Sequence, residues 1–486
     1  MRLSGCLLLI LVLGMGAMAC TENEQYEALP DDLLFYHPTE MALAADGRTL
    51  YINNTNRDYR YASAWITQVD LTALLPQLAA GVDAAGLRHA FRRGLKVPRL
   101  GGPLALAGHN TAFLVHRGLH LLTKIDLHDA SQGGVQMACS GSGANATAQL
   151  TKEEQASDCD RAHLFDLVPP AQARNNDVVD LELTDPYALS LVQEDPLVLA
   201  VAQRRSSWLT LVGRDGQGAL AVLAILKLDN PANLGVASLR SANYVDAEFK
   251  PRNILYAAGF GAAEANSGRQ PGVLNVLDLT AALAPMATGG AFNVAAVKFT
   301  HPALLAPQRG ARITSLALGT ENPPTSLFLA QQGPDALLRL RFTPVLQADG
   351  TLQPDVTQLQ RPASLILDPL RSFNVASIRR GPGAADLVAV TGFAAGAVHF
   401  LAPRGDDLHL VRAFADWAEV GATWSADGSR QVLQPFASVA VPAVPGPDGR
   451  QYLFVTQFGE HSLRIIDISA ADPAAFVQRI TISQVP

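Results

Sequence analysis

QYLFVTQ at Gln451–Gln457, followed after a Phe-Gly-Glu-His loop by SLRIIDI at Ser462–Ile468, decides how the rest of this chain is read. Both runs are short and rich in β-branched and aromatic residues, as strands are, and the short loop between them makes a hairpin. Upstream, the strand-like Phe436–Val441 leads into a turn at Pro447, Asp448 and Gly449. Downstream, FVQRITIS at Phe476–Ser483 supplies a fourth strand. Together they form one antiparallel four-stranded unit.

The same unit returns along the chain. EMALA at Glu40–Ala44, a turn at Asp46-Gly47, TLYIN at Thr49–Asn53 and AWITQVDL at Ala64–Leu71 form the first copy. First-strand starts fall near residues 40, 103, 187, 243, 313, 374 and 436, roughly 66 residues apart on average. In the fourth unit the reading places strands at Asn243–Ala247, Asn253–Ala258 and Gly272–Leu279. Candidate outer strands include Ala219–Leu228, Val294–Thr300 and Leu408–Phe414. A twisted four-stranded sheet has two apolar faces that it cannot cover alone, and equal units stacked around an axis cover both. An open array would need atypical end units, and none is evident. The expected fold is therefore all-β: a seven-bladed β-propeller of four-stranded antiparallel blades.

FVTQFGEHSLRIIDIS (Phe454–Ser469) and DGRTLYINN (Asp46–Asn54) resemble the YVTN-type β-propeller repeat, with weaker echoes in LYAAGF (Leu255–Phe260) and VAVTGF (Val388–Phe393). Related propellers include bacterial lactonase-like and surface-layer repeat proteins. The resemblance implies the propeller fold. The motif itself marks a hairpin and carries no chemistry, and folds of this kind host many activities.

Ahead of the first unit, Arg2, the apolar run Leu7–Leu13 and Ala17-Met18-Ala19 have the order of a secretory signal peptide. The apolar run is too short to span a bilayer. Cys20 follows directly. This arrangement resembles the lipobox of bacterial lipoproteins, although Ala17 and Met18 depart from the preferred Leu-(Ala/Ser). The resemblance implies that Cys20 is lipidated and, with Thr21 next to it, that the chain resides at the outer membrane. The expected layout is a signal peptide at 1–19, a lipidated tether at 20–36, and a propeller at 37–486 with an insertion at 131–184.

The chain has 486 residues, 17% of them charged, and a formal net charge of −7. No basic run is long enough to hold a phosphate backbone, so nucleic acid is not an expected partner. Cys139 and Cys159 flank a polar Gly/Ser-rich stretch, fit no zinc spacing and form no CxxC, so a structural disulfide is expected. It closes a loop of about 20 residues and contributes roughly 3 kcal/mol in the chain-entropy treatment. His116, His120 and His128 could be read as metal ligands. A two-residue turn at Arg117-Gly118 would set His116 and His120 on opposite faces, and a three-residue turn would pair them. Ordinary hairpin histidines are the favoured reading. The acidic run Asp177–Asp185 reads as a strand edge rather than a calcium loop. No metal and no cofactor are expected, and no nucleophile or metalloprotease motif occurs.

In a propeller, the loops joining second to third strands emerge on one face beside the connections between blades. Here they carry Asn56, Arg57, Arg205, Glu460 and His461, the candidate ligand-binding residues, with Arg57, Arg205 and His461 preferred. With no catalytic constellation, the sequence favours a cell-envelope lipoprotein that binds or scaffolds another envelope protein or a surface polymer. One alternative is a lactonase-like hydrolase of a cyclic ester, for which His461 beside Glu460 is the pair to test. Another, by fold analogy alone, is a periplasmic or outer-membrane electron-transfer partner.

Overall fold

The turn at Asp46-Gly47 shows how a blade begins. Gly47 takes φ 68°, its N–H donates to the Ala44 carbonyl at 2.9 Å, and the Asp46 carboxylate accepts from the Arg48 N–H at 2.9 Å. Glycine at the left-handed position lets two strands reverse with their right-handed twist intact. The computed structural model describes residues 27, 29–30, 33–56, 60–128, 136–139, 156–167, 185–215, 218–228, 233–245, 251–261, 272–300, 312–321, 324–333, 335–346, 352–359, 363–367, 372–380, 386–392, 397–405, 407–414, 423–424, 430–431, 437–446, 449–458 and 461–483. The leader, Cys20, Arg57 and Glu460 lie outside them.

Seven antiparallel blades follow in chain order. Blade 1 comprises β1 (Pro38–Leu43), β2 (Thr49–Asn54), β3 (Ala64–Asp70) and β4 (Phe91–Val97). Blade 2 has β5 (Gly101–Ala107), β6 (Thr111–His116), β7 (Leu121–His128) and two short outer pieces, β8 (Gln136–Ala138) and β9 (Leu164–Asp166). Blade 3 has β10 (Pro186–Gln193), β11 (Val198–Gln203), β12 (Trp208–Arg214) and β13 (Leu220–Lys227). Blade 4 has β14 (Asn233–Val245), β15 (Pro251–Gly261), β16 (Gly272–Asp278) and β17 (Lys298–Thr300).

Blade 5 has β18 (Arg312–Leu318), β19 (Ser326–Gln332), β20 (Ala336–Leu346), β21 (Leu352–Leu359) and β22 (Ala363–Ile366). Blade 6 has β23 (Ser372–Ile378), β24 (Leu387–Gly392), β25 (Val398–Arg404) and β26 (Asp407–Phe414). A small hairpin, β27 (Thr423–Trp424) and β28 (Arg430–Gln431), precedes blade 7. That blade has β29 (Ala437–Pro445), β30 (Gln451–Gln457), β31 (Ser462–Asp467) and β32 (Val477–Ser483).

Each innermost strand packs against the next, and β29 of blade 7 returns to β1, so the ring is closed. Side chains on each sheet alternate between the two flanking blades, which yields a separate apolar core at every blade junction. The junction of blades 7 and 1 joins Phe35, Leu50, Ile52 and Phe91 to Tyr452, Phe454, Leu463 and Ile482. Each such side chain contributes about 1.5–3 kcal/mol by leaving water. Toward the axis, where the innermost strands crowd, small polar residues replace apolar ones. The Ser190 and Ser241 hydroxyls lie 3.2 Å apart, Ser238 Oγ accepts from the Leu316 N–H at 3.2 Å, and the Ser315 hydroxyl donates to Asn374 Oδ1 at 3.1 Å.

Three local expectations are corrected. The first strand of blade 4 begins at Asn233, not Asn243, because Gly235, opposite Phe260, and Gly259, opposite Val236, interrupt the apolar alternation of β14 and β15. Only Lys298–Thr300 of the expected outer strand Val294–Thr300 pairs; Val294–Ala296 is a 3-10 turn. His116 pairs with Leu121, so the blade 2 hairpin turns through four residues rather than two or three.

Third strands in blades 1 and 4 run into helices that the alternation did not reveal. Asp70 accepts from the N–H groups of Thr72 and Ala73 and caps helix Leu71–Ala79, whose Leu71, Leu74, Leu75 and Leu78 fill the junction with blade 7. Asp278 accepts from the Thr280 N–H at the start of the short helix Thr280–Leu283.

The described parts of the insertion belong to the edge of blade 2. β8 pairs with the last residues of β7 and β9 with its first, so one outer strand is bisected. Cys139 and Cys159 are disulfide-bonded where the excursion leaves and rejoins the strand, with Cα atoms 4.4 Å apart. The returning arm is held further by His163, whose Nδ1 lies 2.7 Å from Asp160 Oδ1 and whose Nε2 lies 3.0 Å from Asp126 Oδ2. Burial works to raise the Asp126 carboxyl, but hydrogen bonds from Lys124 and His163 outweigh it and hold the group below its ordinary value. Lys96 of β4 exchanges backbone and carboxylate bonds with Asp158, so the staple also meets blade 1.

Candidate binding face

First-strand starts and second-strand ends meet at one face of the ring. Pro38 lies opposite Asn54, Gly101 opposite His116, Pro186 opposite Gln203, Arg312 opposite Gln332 and Ala437 opposite Gln457. Several polar groups at this face are spent on structure. Asn54 accepts from the Tyr36 N–H and donates to Thr67 Oγ1, at 3.0 and 2.9 Å. Asn56 is fully buried at φ 49°. Its amide donates to the Tyr61 and Ser63 carbonyls and accepts from the Tyr61 N–H, bracing its own loop. His116 is buried between the Arg99 carbonyl and the Thr123 hydroxyl, and burial pushes its imidazole down to about 4 against the pull of the Arg99 and Pro98 backbone. Neutral at physiological pH, it serves the hairpin.

His461, at φ 51°, sits at the junction of blades 7 and 1. Its Nδ1 accepts from the His37 N–H at 3.0 Å, and its ring stacks on Tyr36 with centroids 4.5 Å apart. His37 in turn stacks on Phe458 at 4.4 Å. The preferred candidate histidine is thus part of a clasp between the first and last blades. Glu460, its proposed dyad partner, and Arg57 lie outside the described residues.

Arg205 is 83% exposed and belongs to a cluster over the junction of blades 2 and 3. Tyr187, at the start of β10, carries Arg117 from blade 2 and Arg204 from blade 3 against its ring, with guanidinium carbons 4.7 and 4.9 Å from the centroid. Asp185 lies 3.3 Å from Arg117 Nε and 3.8 Å from Arg205 Nε. Sequence inspection singled out Arg205 and missed Tyr187 and Arg117 as its neighbours, because they come from different blades. The signal available was a basic pair, Arg204-Arg205, in the loop that the repeat places opposite Asp185-Pro186-Tyr187.

Inside the ring, Glu40 of β1 pairs with Asn53 across the first hairpin. The residue is half-buried where the innermost strands converge. Burial pushes its carboxyl up to about 7, against the pull of Arg240 from blade 4. Beside it, Asn53 donates to the Gly102 carbonyl at 2.7 Å, and Gly101 must lack a side chain because a Cβ would lie 2.7 Å from Asn53 Oδ1. Among the described residues, no group of three or more His, Cys, Asp or Glu side chains is arranged to hold a metal ion.

As a sequence the chain matches no family model and no curated protein. Among solved structures it is similar to the Dos1 propeller, at 9% identity over 93% of this chain and 86% of that chain with a TM-score of 0.46. It is similar to the Cps50 (Swd1) β-propeller domain of Myceliophteria thermophila, at 12% identity over 88% and 96% with a TM-score of 0.46. It is also similar to the periplasmic gluconolactonase of Pseudomonas aeruginosa, at 13% identity over 92% and 85% with a TM-score of 0.39. Likeness at this level says nothing about activity.

Proposed function

We propose that the chain is a cell-envelope lipoprotein whose propeller binds, without catalysis, another envelope protein or a surface polymer. The observation that carries this reading is the cluster of Arg117, Arg204 and Arg205 around Tyr187 and Asp185, displayed on the face where the blade connections meet. Two of these cations share the Asp185 carboxylate and the third, Arg204, rests on Tyr187, which leaves donors for a partner, and a closed ring of strands holds them in place. The tether comes from Cys20, which follows the apolar leader directly. The single candidate dyad loses support from the use of His461 Nδ1 as an acceptor for the His37 N–H.

Two measurements test the reading. Cys20→Ser should move the protein from the membrane to the soluble fraction. A photo-crosslinking side chain at Arg205 should capture an envelope component that the same group at Asp46, at the opposite end of blade 1, does not. Unchanged fractionation would remove the lipid tether, and equal capture from both positions would remove the binding face.

A further inference from the structure

We infer that the junction of blades 2 and 3 is a carboxylate-binding subsite for an acidic polysaccharide, a chain of uronic acid units. This deepens the binding-module reading and rests on it for the setting in which such a polymer is met.

The site is built rather than incidental. The Arg204 N–H donates to the Asp185 carbonyl at 3.0 Å, and β14 passes so close behind it that a Cβ on Gly235 would lie 1.9 Å from the Arg204 carbonyl oxygen. The Arg117 N–H donates to the Leu100 carbonyl at 3.0 Å, and Gly118 at φ 72° closes that turn. Backbone anchoring of this kind fixes where both guanidinium groups start. The shared Tyr187 ring then limits where they can go. Among the described residues the Arg204 guanidinium makes no hydrogen bond, so its donors remain for a ligand.

Gln203 adds an independent observation. It is fully buried, and neither its amide nitrogen nor its amide oxygen has a partner. Leu199 and Val201, at the alternate positions before it, pack into the core between blades 2 and 3, so strand alternation turns Gln203 toward the same junction. An unpaired buried amide is costly, and in native folds such groups are completed by a bound ion, water or ligand group.

Guanidinium forks match planar carboxylates. Individual ion pairs at exposed positions such as Arg205 are weak, so one carboxylate is not retained for long. A chain that repeats the carboxylate rebinds from a high local concentration. Both polymers have two soft backbone torsions per unit, but a uronate carboxylate is attached directly to its rigid ring whereas an aspartate or glutamate carboxylate hangs on a side chain with further torsions to fix, which favours the polysaccharide.

The test uses the full chain in detergent on surfaces of polygalacturonate, neutral dextran and polyglutamate. Polygalacturonate should be held at least tenfold more tightly than dextran, less so as salt rises. Arg204→Gln and Arg117→Gln should each weaken it about tenfold with an unchanged melting midpoint. Arg214→Gln, the same charge change at the far end of β12, should leave it alone. If the two junction variants bind like the parent, the polymer sits elsewhere and the subsite is wrong, although the binding-module reading stands. Equal retention on polyglutamate would assign the junction to acidic peptides instead. If no anionic polymer is held, both subsite and ligand class fall, while Cys20→Ser and crosslinking from Arg205 judge the module separately.

Discussion

Replacing Glu40 with Gln should stabilise this protein, and only above mildly acidic pH. In the folded ring the carboxyl is raised from 4.5 to about 7, chiefly by burial, with Arg240 pulling the other way. The folded state therefore keeps a proton that the unfolded chain has already released between those two values. Stability falls as pH rises through that window and levels off above about 7, because there the folded state binds more protons than the unfolded one. A shift of that size corresponds to an upper bound of about 3 kcal/mol at pH 8. The residue is only half-buried, so solvent screens it and brings the expected gain to about 1–2 kcal/mol. Glutamine keeps the shape and cannot ionise. Denaturant unfolding of parent and Glu40→Gln between pH 4 and 9 should give curves that coincide near the acid end and diverge toward pH 8. A difference independent of pH, or a parent that gains on the variant as pH rises, would refute the reasoning.

The other predictions concern the joints of the ring. Replacing Cys139 and Cys159 with Ser together should cost about 3 kcal/mol, since the bond spans 20 residues, and hydrogen exchange should rise first in β8 and β9. His461→Ala removes the acceptor for the His37 N–H and the ring stacked on Tyr36, and should cost about 1–2 kcal/mol. Exchange protection should then drop in blades 1 and 7 and remain in blade 4; a uniform drop would contradict a local clasp. Gly235→Ala meets the Arg204 backbone oxygen, whereas Gly94→Ala meets the movable end of Met137, so the first should lower the melting midpoint clearly more than the second.

Fold and site differ in how much of them the sequence discloses. A blade is made from neighbours in the chain, so Asp46-Gly47 and the alternating runs around it announce a hairpin directly, and the number of such units sets the ring. Where glycines interrupt alternation, as at Gly235 and Gly259, the strand continues through backbone pairing that leaves no apolar trace. The helices were announced by a different code, Asp-Leu-Thr-Ala, shared by Asp70–Ala73 and Asp278–Ala281, in which the aspartate at the strand end accepts from the threonine N–H that starts the helix. The bisected outer strand of blade 2 was invisible because β8 and β9 are three residues each, too short for any period to register. Site residues suffered most from distance. His37 and His461 are 424 positions apart, and nothing local to either shows that they touch. Arg205 is legible as a loop cation, but its meaning depends on Arg117 and Tyr187, placed beside it only once the blades stand side by side.

The junction of blades 7 and 1 also governs how the molecule bears load. Each of the other blade junctions is bridged by continuous chain, whereas all the strands of blade 1 come from the start of the propeller and all those of blade 7 from its end. Tension drawn through the residues before Leu33 reaches Phe35, Tyr36 and His37, which join blade 1, through Phe91 and Trp65, to Phe458 and His461 of blade 7. Pulled from that side, the ring yields first like a split washer, by parting at its ends. The stacked rings and the His37–His461 bond are placed where such a parting would start.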